Sequence, residues 1–114
     1  IDAVDGRNLY SLVHDTFHHH LAGDPALFPE MTGLVHISGV EAPELSVDAM
    51  GDQHRLLVGQ ADRLGTVAQL KALRAGGFDG LVSFEPFAVE VAQSPDIEAD
   101  LRASIDFIRA GLAA

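Results

Sequence analysis

The chain has 114 residues, room for one domain (1–114) and not for two. Apolar residues make up 47% and charged residues 21%, which excludes disorder throughout. Seven Lys+Arg against seventeen Asp+Glu leave a formal net charge of −10, which disfavours nucleic acid and anionic membrane as partners. No apolar run approaches the roughly 18–20 residues of a membrane span. Cysteine is absent, which removes disulfides, thiolate metal sites and cysteine nucleophiles together. The opening Ile1-Asp2-Ala3-Val4-Asp5 is acidic, unlike a signal peptide, and a cytoplasmic location is expected. The chain does not open on methionine, so a processed chain or a piece of something longer is expected.

Asp5-Gly6-Arg7-Asn8 reads as a turn leading into a first strand, Leu9–Asp15. Asp24-Pro25 suits the start of a short helix through Ala26, Leu27 and Phe28, with a break at Thr32-Gly33. Leu34–Ser38 is a second strand. The polar stretch 41–62 shows no periodicity and is longer than an ordinary connection, the kind of loop that often carries function. Thr66 and Gln69 have capping-box spacing ahead of Val67, Leu70 and Leu73, and Gly76-Gly77 stops that helix. Leu81–Glu85 is a third strand, closed by Pro86. Ser94 and Pro95 open a last helix on which Ile97, Leu101, Ile105, Ile108 and Leu112 recur at helical spacing. Strands alternating with helices give an α/β fold of parallel βα units. Three strands alone leave two unpaired edges, so the architecture reads as incomplete.

Each strand ends in a residue fit for metal or proton chemistry. Asp15 closes the first with His18 just beyond it, His36 stands near the end of the second, and Glu85 closes the third. Parallel α/β folds assemble their sites at these carboxyl ends. Two carboxylates and an imidazole suit a hard or borderline divalent cation. Plainer roles compete: Asp15 as a capping aspartate, His36 as a hydrogen-bonded core histidine. Glu85, between Phe84 and Pro86, fits a plain core role least, because a buried carboxylate needs a partner. Within His18-His19-His20 the side chains cannot all face one site, and His18 has the better spacing to Asp15. Arg55, inside the long loop, is either a solvated charge or a group that holds a substrate hydroxyl or carboxylate. Arginine donates no lone pair to a metal, so its loss is expected to spare metal affinity. His14 and Glu90 read as structural.

Asp15-Thr16-Phe17-His18, then Val35-His36-Ile37, then Phe84-Glu85-Pro86-Phe87 resemble, in order, the second half of the xylose-isomerase-like TIM barrels. The runs DTFHHHLAG, HISG, GDQHRLLVG and SFEPF are most similar to a branch of keto-inositol or related isomerases. The resemblance spans nearly the whole chain and implies strands six, seven and eight of a (β/α)₈ barrel with their helices. It implies Asp15, His36 and Glu85 as metal ligands and Glu85 as a proton-transfer catalyst. It implies His18 and Arg55 as substrate contacts, with a longer gap before Arg55 than in the family. The implied cofactor is a divalent ion (Mn, Mg, Co, Fe or Zn). The family's other glutamate belongs to an earlier strand that is not in this chain. A full barrel takes roughly 200–250 residues, so the piece alone is expected to be inactive.

The function this implies is isomerisation or epimerisation of a small ketose, keto-acid or keto-inositol. The metal would chelate the carbonyl and a neighbouring hydroxyl and stabilise an enediolate. Two alternatives stand beside it: an inosose-dehydratase-type lyase on the same site, and a non-catalytic half-barrel that self-associates. An endonuclease is disfavoured by the few basic residues. A small sugar or keto-polyol is the expected partner, and the enzyme is expected to be a homo-oligomer.

Overall fold

The computed structural model describes all residues, 1–114. Its centre is a three-stranded parallel sheet in the order β1 (Leu12–Asp15), β2 (Thr32–Ile37), β3 (Leu81–Phe84). The register pairs Asp15 with His36 and His36 with Ser83, with an irregularity between Leu12 and Val13. Side chains alternate across a strand, so Asp15, His36 and Ser83 share one face, and Val35, Ile37, Val82 and Phe84 the other.

Helices cover the second face over β1 and β2 and leave Val82 of β3 44% exposed. Between the strands run α1 (Thr16–Ala22) and α2 (Thr66–Ala75), and after β3 come α3 (Val89–Ala92) and α4 (Ile97–Ala113). Val35, Ile37, Val58, Leu70, Leu73, Phe78 and Ile108 form the main core against this face. Phe17, Val40, Met50 and Leu64 form a smaller cluster under α1 and the long loop. No helix is long and apolar enough to cross a membrane.

Several local expectations are corrected. The helix expected at Asp24-Pro25 lies earlier, at α1. Asp15 is its N-cap, accepting from the N–H groups of Phe17 and His18, and Gly23 ends it at φ 68°, a left-handed conformation suited to glycine. β1 is shorter than expected, because the N–H groups of Leu9 and Tyr10 both donate to the carbonyl of Gly6 in a turn. Thr32-Gly33 falls inside β2 rather than breaking the chain.

Thr66 and Gln69 do not form a capping box. The cap of α2 is Gly65 at φ 67°, and the Thr66 N–H donates to Asp62 Oδ2 at 3.0 Å. The buried Thr66 hydroxyl instead meets Thr16 Oγ1 at 2.9 Å and the carbonyl of Ser38 at 2.8 Å. The Gln69 amide donates to the carbonyls of Thr16 and Leu64 and faces His14 Nε2 at 2.7 Å. What reads as a cap is a polar staple joining α1, α2 and the end of β2. At the far end, Asp96 rather than Ser94 is the N-cap of α4. Ser94 Oγ accepts from the Asp96 N–H at 3.3 Å.

The stretch 41–62 is built rather than loose. Two 3₁₀ turns, Val47–Ala49 and Asp52–His54, interrupt it. An antiparallel bridge joins Gly39 to Leu56. Asp62 Oδ1 accepts from the N–H groups of Val40 and Leu64. Arg63 donates to the carbonyls of Ala42 and Leu45. These anchors leave Arg55 at 1% exposure, facing the strand ends.

Candidate metal centre

Three adjacent strand ends set the site. Asp15 is the last residue of β1, His36 is next to last in β2, and Glu85 follows β3 directly, its N–H still donating to the Ile37 carbonyl at 2.8 Å. Parallel register therefore delivers two carboxylates and an imidazole to one rim. One ligand atom from each lies within 4.8 Å of the other two. His36 Nδ1 stands 3.0 Å from Glu85 Oε2. An open cleft of about 570 Å³ holds them, lined also by Val13, His14, His18 and His19. A larger hollow of about 850 Å³ lies among Leu70, Phe78, Phe84 and Ile108 on the helix-covered side of the sheet. It is mostly apolar and is lined by none of these three groups, so chemistry rather than volume selects the cleft.

The two oxygens of Asp15 have different tasks. Oδ1 caps α1, as the plainer reading of the residue expected, while Oδ2 accepts from Arg55 Nη2 at 2.9 Å. Burial pushes the Asp15 carboxyl up, but the His18 N–H and the charge and hydrogen bond of Arg55 outweigh it and hold the carboxyl below the usual range. Arg55 Nη2 also lies 3.4 Å from Glu85 Oε2, and Nη1 lies 3.4 Å from the exposed Asp52.

His18 is exposed at the start of α1, and its ring meets Phe17 edge-on at 5.2 Å between centroids. Successive helix positions fan around the axis, so His19 turns to pack on His14 at 4.8 Å. Burial, then the charge of His14, pushes the His19 imidazole below its ordinary value. His14 pairs with Gln69, and Glu90 is exposed on α3.

The sequence reading missed the residues that hold Arg55. Ser38, fully buried, accepts from Arg55 Nε at 3.0 Å. The rings of Phe17 and Phe87 flank the guanidinium at 4.8 and 5.1 Å. Phe17 and Phe87 stand inside two of the quoted motifs and Ser38 follows the third, but a serine or phenylalanine there ordinarily serves packing.

As a donor set, Asp15, His36 and Glu85 fit a divalent cation in type and spacing. The carboxylate oxygens nearest Arg55 are already in contact with its guanidinium.

The comparisons agree with this geometry. The sequence model of the xylose isomerase-like TIM barrel matches residues 1–111, and the chain belongs to that family. Among solved structures, a xylose isomerase domain containing protein from Salmonella typhimurium LT2 is similar at TM-score 0.78 and 28% identity, over 93% of this chain and 40% of that one. The IolI protein with a bound zinc atom is similar at TM-score 0.73 and 26% identity, over 97% of this chain and 40% of that one. The chain thus spans about 40% of the length of the structures it resembles. No curated protein matches it.

Proposed function

We propose that these residues form the active rim of a divalent-metal-dependent isomerase or epimerase of a small ketose, keto-acid or keto-inositol. The observation that carries this reading is the convergence of Asp15, His36 and Glu85 at three parallel strand ends within 4.8 Å. The family match and the zinc in the IolI relative support it. Activity is proposed for a complete barrel containing these residues, because the resemblance puts a further glutamate on an earlier strand.

Glu85 is the proton carrier. Its side chain is 33% exposed, open to a substrate in the cleft and yet within reach of Arg55. As carboxylate it takes the proton from the carbon beside the carbonyl and returns it to the neighbouring carbon, or to the same carbon from the other face. A divalent ion held by Asp15, His36 and Glu85 would supply electrophilic stabilisation of the negative charge that develops on the substrate oxygens. His18, exposed at the cleft mouth, orients a substrate hydroxyl. Arg55 balances charge from the loop side. A neutral ketose or keto-inositol needs no basic funnel, so the acidic surface is no obstacle to either of these substrates. The open edges at β1 and β3 support association of copies of this chain, and sedimentation at rising concentration tests it; a monomer throughout would contradict association.

Deuterium exchange tests the chemistry. A complete barrel carrying these residues, given Mn²⁺ and a ketose or keto-inositol in D₂O, should wash deuterium into the carbon beside the carbonyl. The product should be an isomer of the substrate, and Glu85→Gln should abolish the exchange. A dehydrated product would assign a lyase instead, and no exchange with the parent protein would contradict the proposal.

A further inference from the structure

Arg55 has the largest of the fully buried side chains, and its position is over-determined. Ser38 takes its Nε–H, two phenylalanine rings flank its plane, and its own carbonyl accepts the N–H groups of Phe87 and Ala88 at 3.1 and 2.9 Å. An arginine so tethered does not behave as a swinging surface charge. Its Nη2 bridges Asp15 Oδ2 at 2.9 Å and Glu85 Oε2 at 3.4 Å. These two carboxylates belong to the set that would hold a divalent ion.

Two carboxylates brought this close repel each other unless a cation lies between them. In this structure the guanidinium is that cation. A divalent ion needs the same two groups, and it arrives beside a fixed positive charge. The two cations are therefore alternatives for the same carboxylate charge.

We infer that Arg55 is a resident counter-cation of the metal centre, one whose charge competes for Asp15 and Glu85 and lowers the site's affinity for a divalent ion. The inference rests on the reading that Asp15, His36 and Glu85 bind metal, and it reverses the expectation that losing Arg55 spares metal affinity. Arginine donates no lone pair, but it acts on affinity through the charge it contributes at the ligands. A merely structural Arg55 predicts the opposite sign, because unpositioned carboxylates would bind metal more weakly.

The test is calorimetric titration of the intact protein with Mn²⁺ alone, comparing the parent with Arg55→Gln, Ser38→Ala and Glu85→Gln. Arg55→Gln should bind Mn²⁺ roughly tenfold tighter or more, about 1.4 kcal/mol. Ser38→Ala keeps the charge but frees Nε, so it should shift affinity the same way by less. Thermal melts should show Mn²⁺ raising Tm further in Arg55→Gln than in the parent. Glu85→Gln should lose binding. Unchanged or weaker binding in Arg55→Gln, with the parent still binding, would overturn the inference and leave the metal reading intact. Binding by Arg55→Gln where the parent shows none would support it. Absence of binding in both would overturn inference and metal reading together. If Arg55→Gln does not fold, Ser38→Ala decides alone: tighter binding supports the inference, and unchanged or weaker binding overturns it.

Discussion

The two faces of the sheet end in different conditions. On the helix-covered face, Val35 and Ile37 are at or below 2% exposure, and Val82 at the β3 edge is 44% exposed. On the other face, Val13 is 57% exposed and Leu81 is 77% exposed, although both stand in strands. Yet the rim at the top of that open face is ordered by polar contacts: Asp15, His36, Glu85 and Arg55 pair with one another, and no buried side-chain polar atom lacks a partner. The difference teaches that the site's geometry does not depend on filling the face beneath it. It is fixed by parallel register, by the cap that Asp15 gives α1, and by the anchored loop behind Arg55. In a (β/α)₈ barrel the open face would be the packed interior, where side chains of alternate strands stack in layers.

The largest expected effect sharpens the rim side of this comparison. In a complete barrel, Glu85→Gln should lower turnover by at least about 10²–10⁴-fold, the usual worth of general acid–base catalysis, because it removes a metal ligand as well. A fall in kcat at unchanged folding, by steady-state kinetics beside circular dichroism, checks it. Stability should then separate the two faces. Leu73→Ala empties a fully buried position and should cost about 2–5 kcal/mol in urea unfolding. In the 114-residue chain by itself, Leu81→Ala removes a side chain that is 77% exposed and should stay within about 0.5 kcal/mol. Equal costs would erase the contrast.

A smaller effect tests the polar staple. Thr66→Val leaves the Ser38 carbonyl and Thr16 hydroxyl without their partner and should cost about 1–3 kcal/mol. The smallest is a pH effect at Asp15, whose carboxyl is held below its ordinary value of 3.8 in the folded protein. A depressed folded value means that ionised Asp15 stabilises the fold above the unfolded value, and that this contribution is lost as pH falls through the folded one. Stability against pH should therefore drop on the acid side in the parent, and Asp15→Asn should flatten that limb.

Much of this was legible in the sequence because period and motif agree. The three strands, α2 and α4 follow from apolar patterning, and the strand-end Asp15, His36 and Glu85 follow from parallel topology. Local polar residues were harder. Asp15 reads both as a cap and as a ligand; its Oδ1 caps α1, and its Oδ2 accepts from Arg55 in the cleft. Asp15 and Gly23 bracket a helix that the histidine run concealed, while Asp24-Pro25 offered a plausible start elsewhere. Thr66 and Gln69 carry the spacing of a capping box, but burial turned both toward tertiary partners. The loop 41–62 has no period to read, because Asp62 and Arg63 hold it through backbone contacts that no spacing rule reports. Arg55 was visible as a candidate, but its 1% exposure and its bridge between two carboxylates depend on residues from four separate segments.

The central claim is that Asp15, His36 and Glu85 together bind a divalent ion. Pulsed electron paramagnetic resonance of bound Mn²⁺ tests it most directly, because coupling to an imidazole nitrogen reports histidine ligation. The account predicts nitrogen coupling in the parent protein and its loss in His36→Gln. Coupling that survives His36→Gln, or bound Mn²⁺ with no nitrogen coupling in the parent, would contradict it.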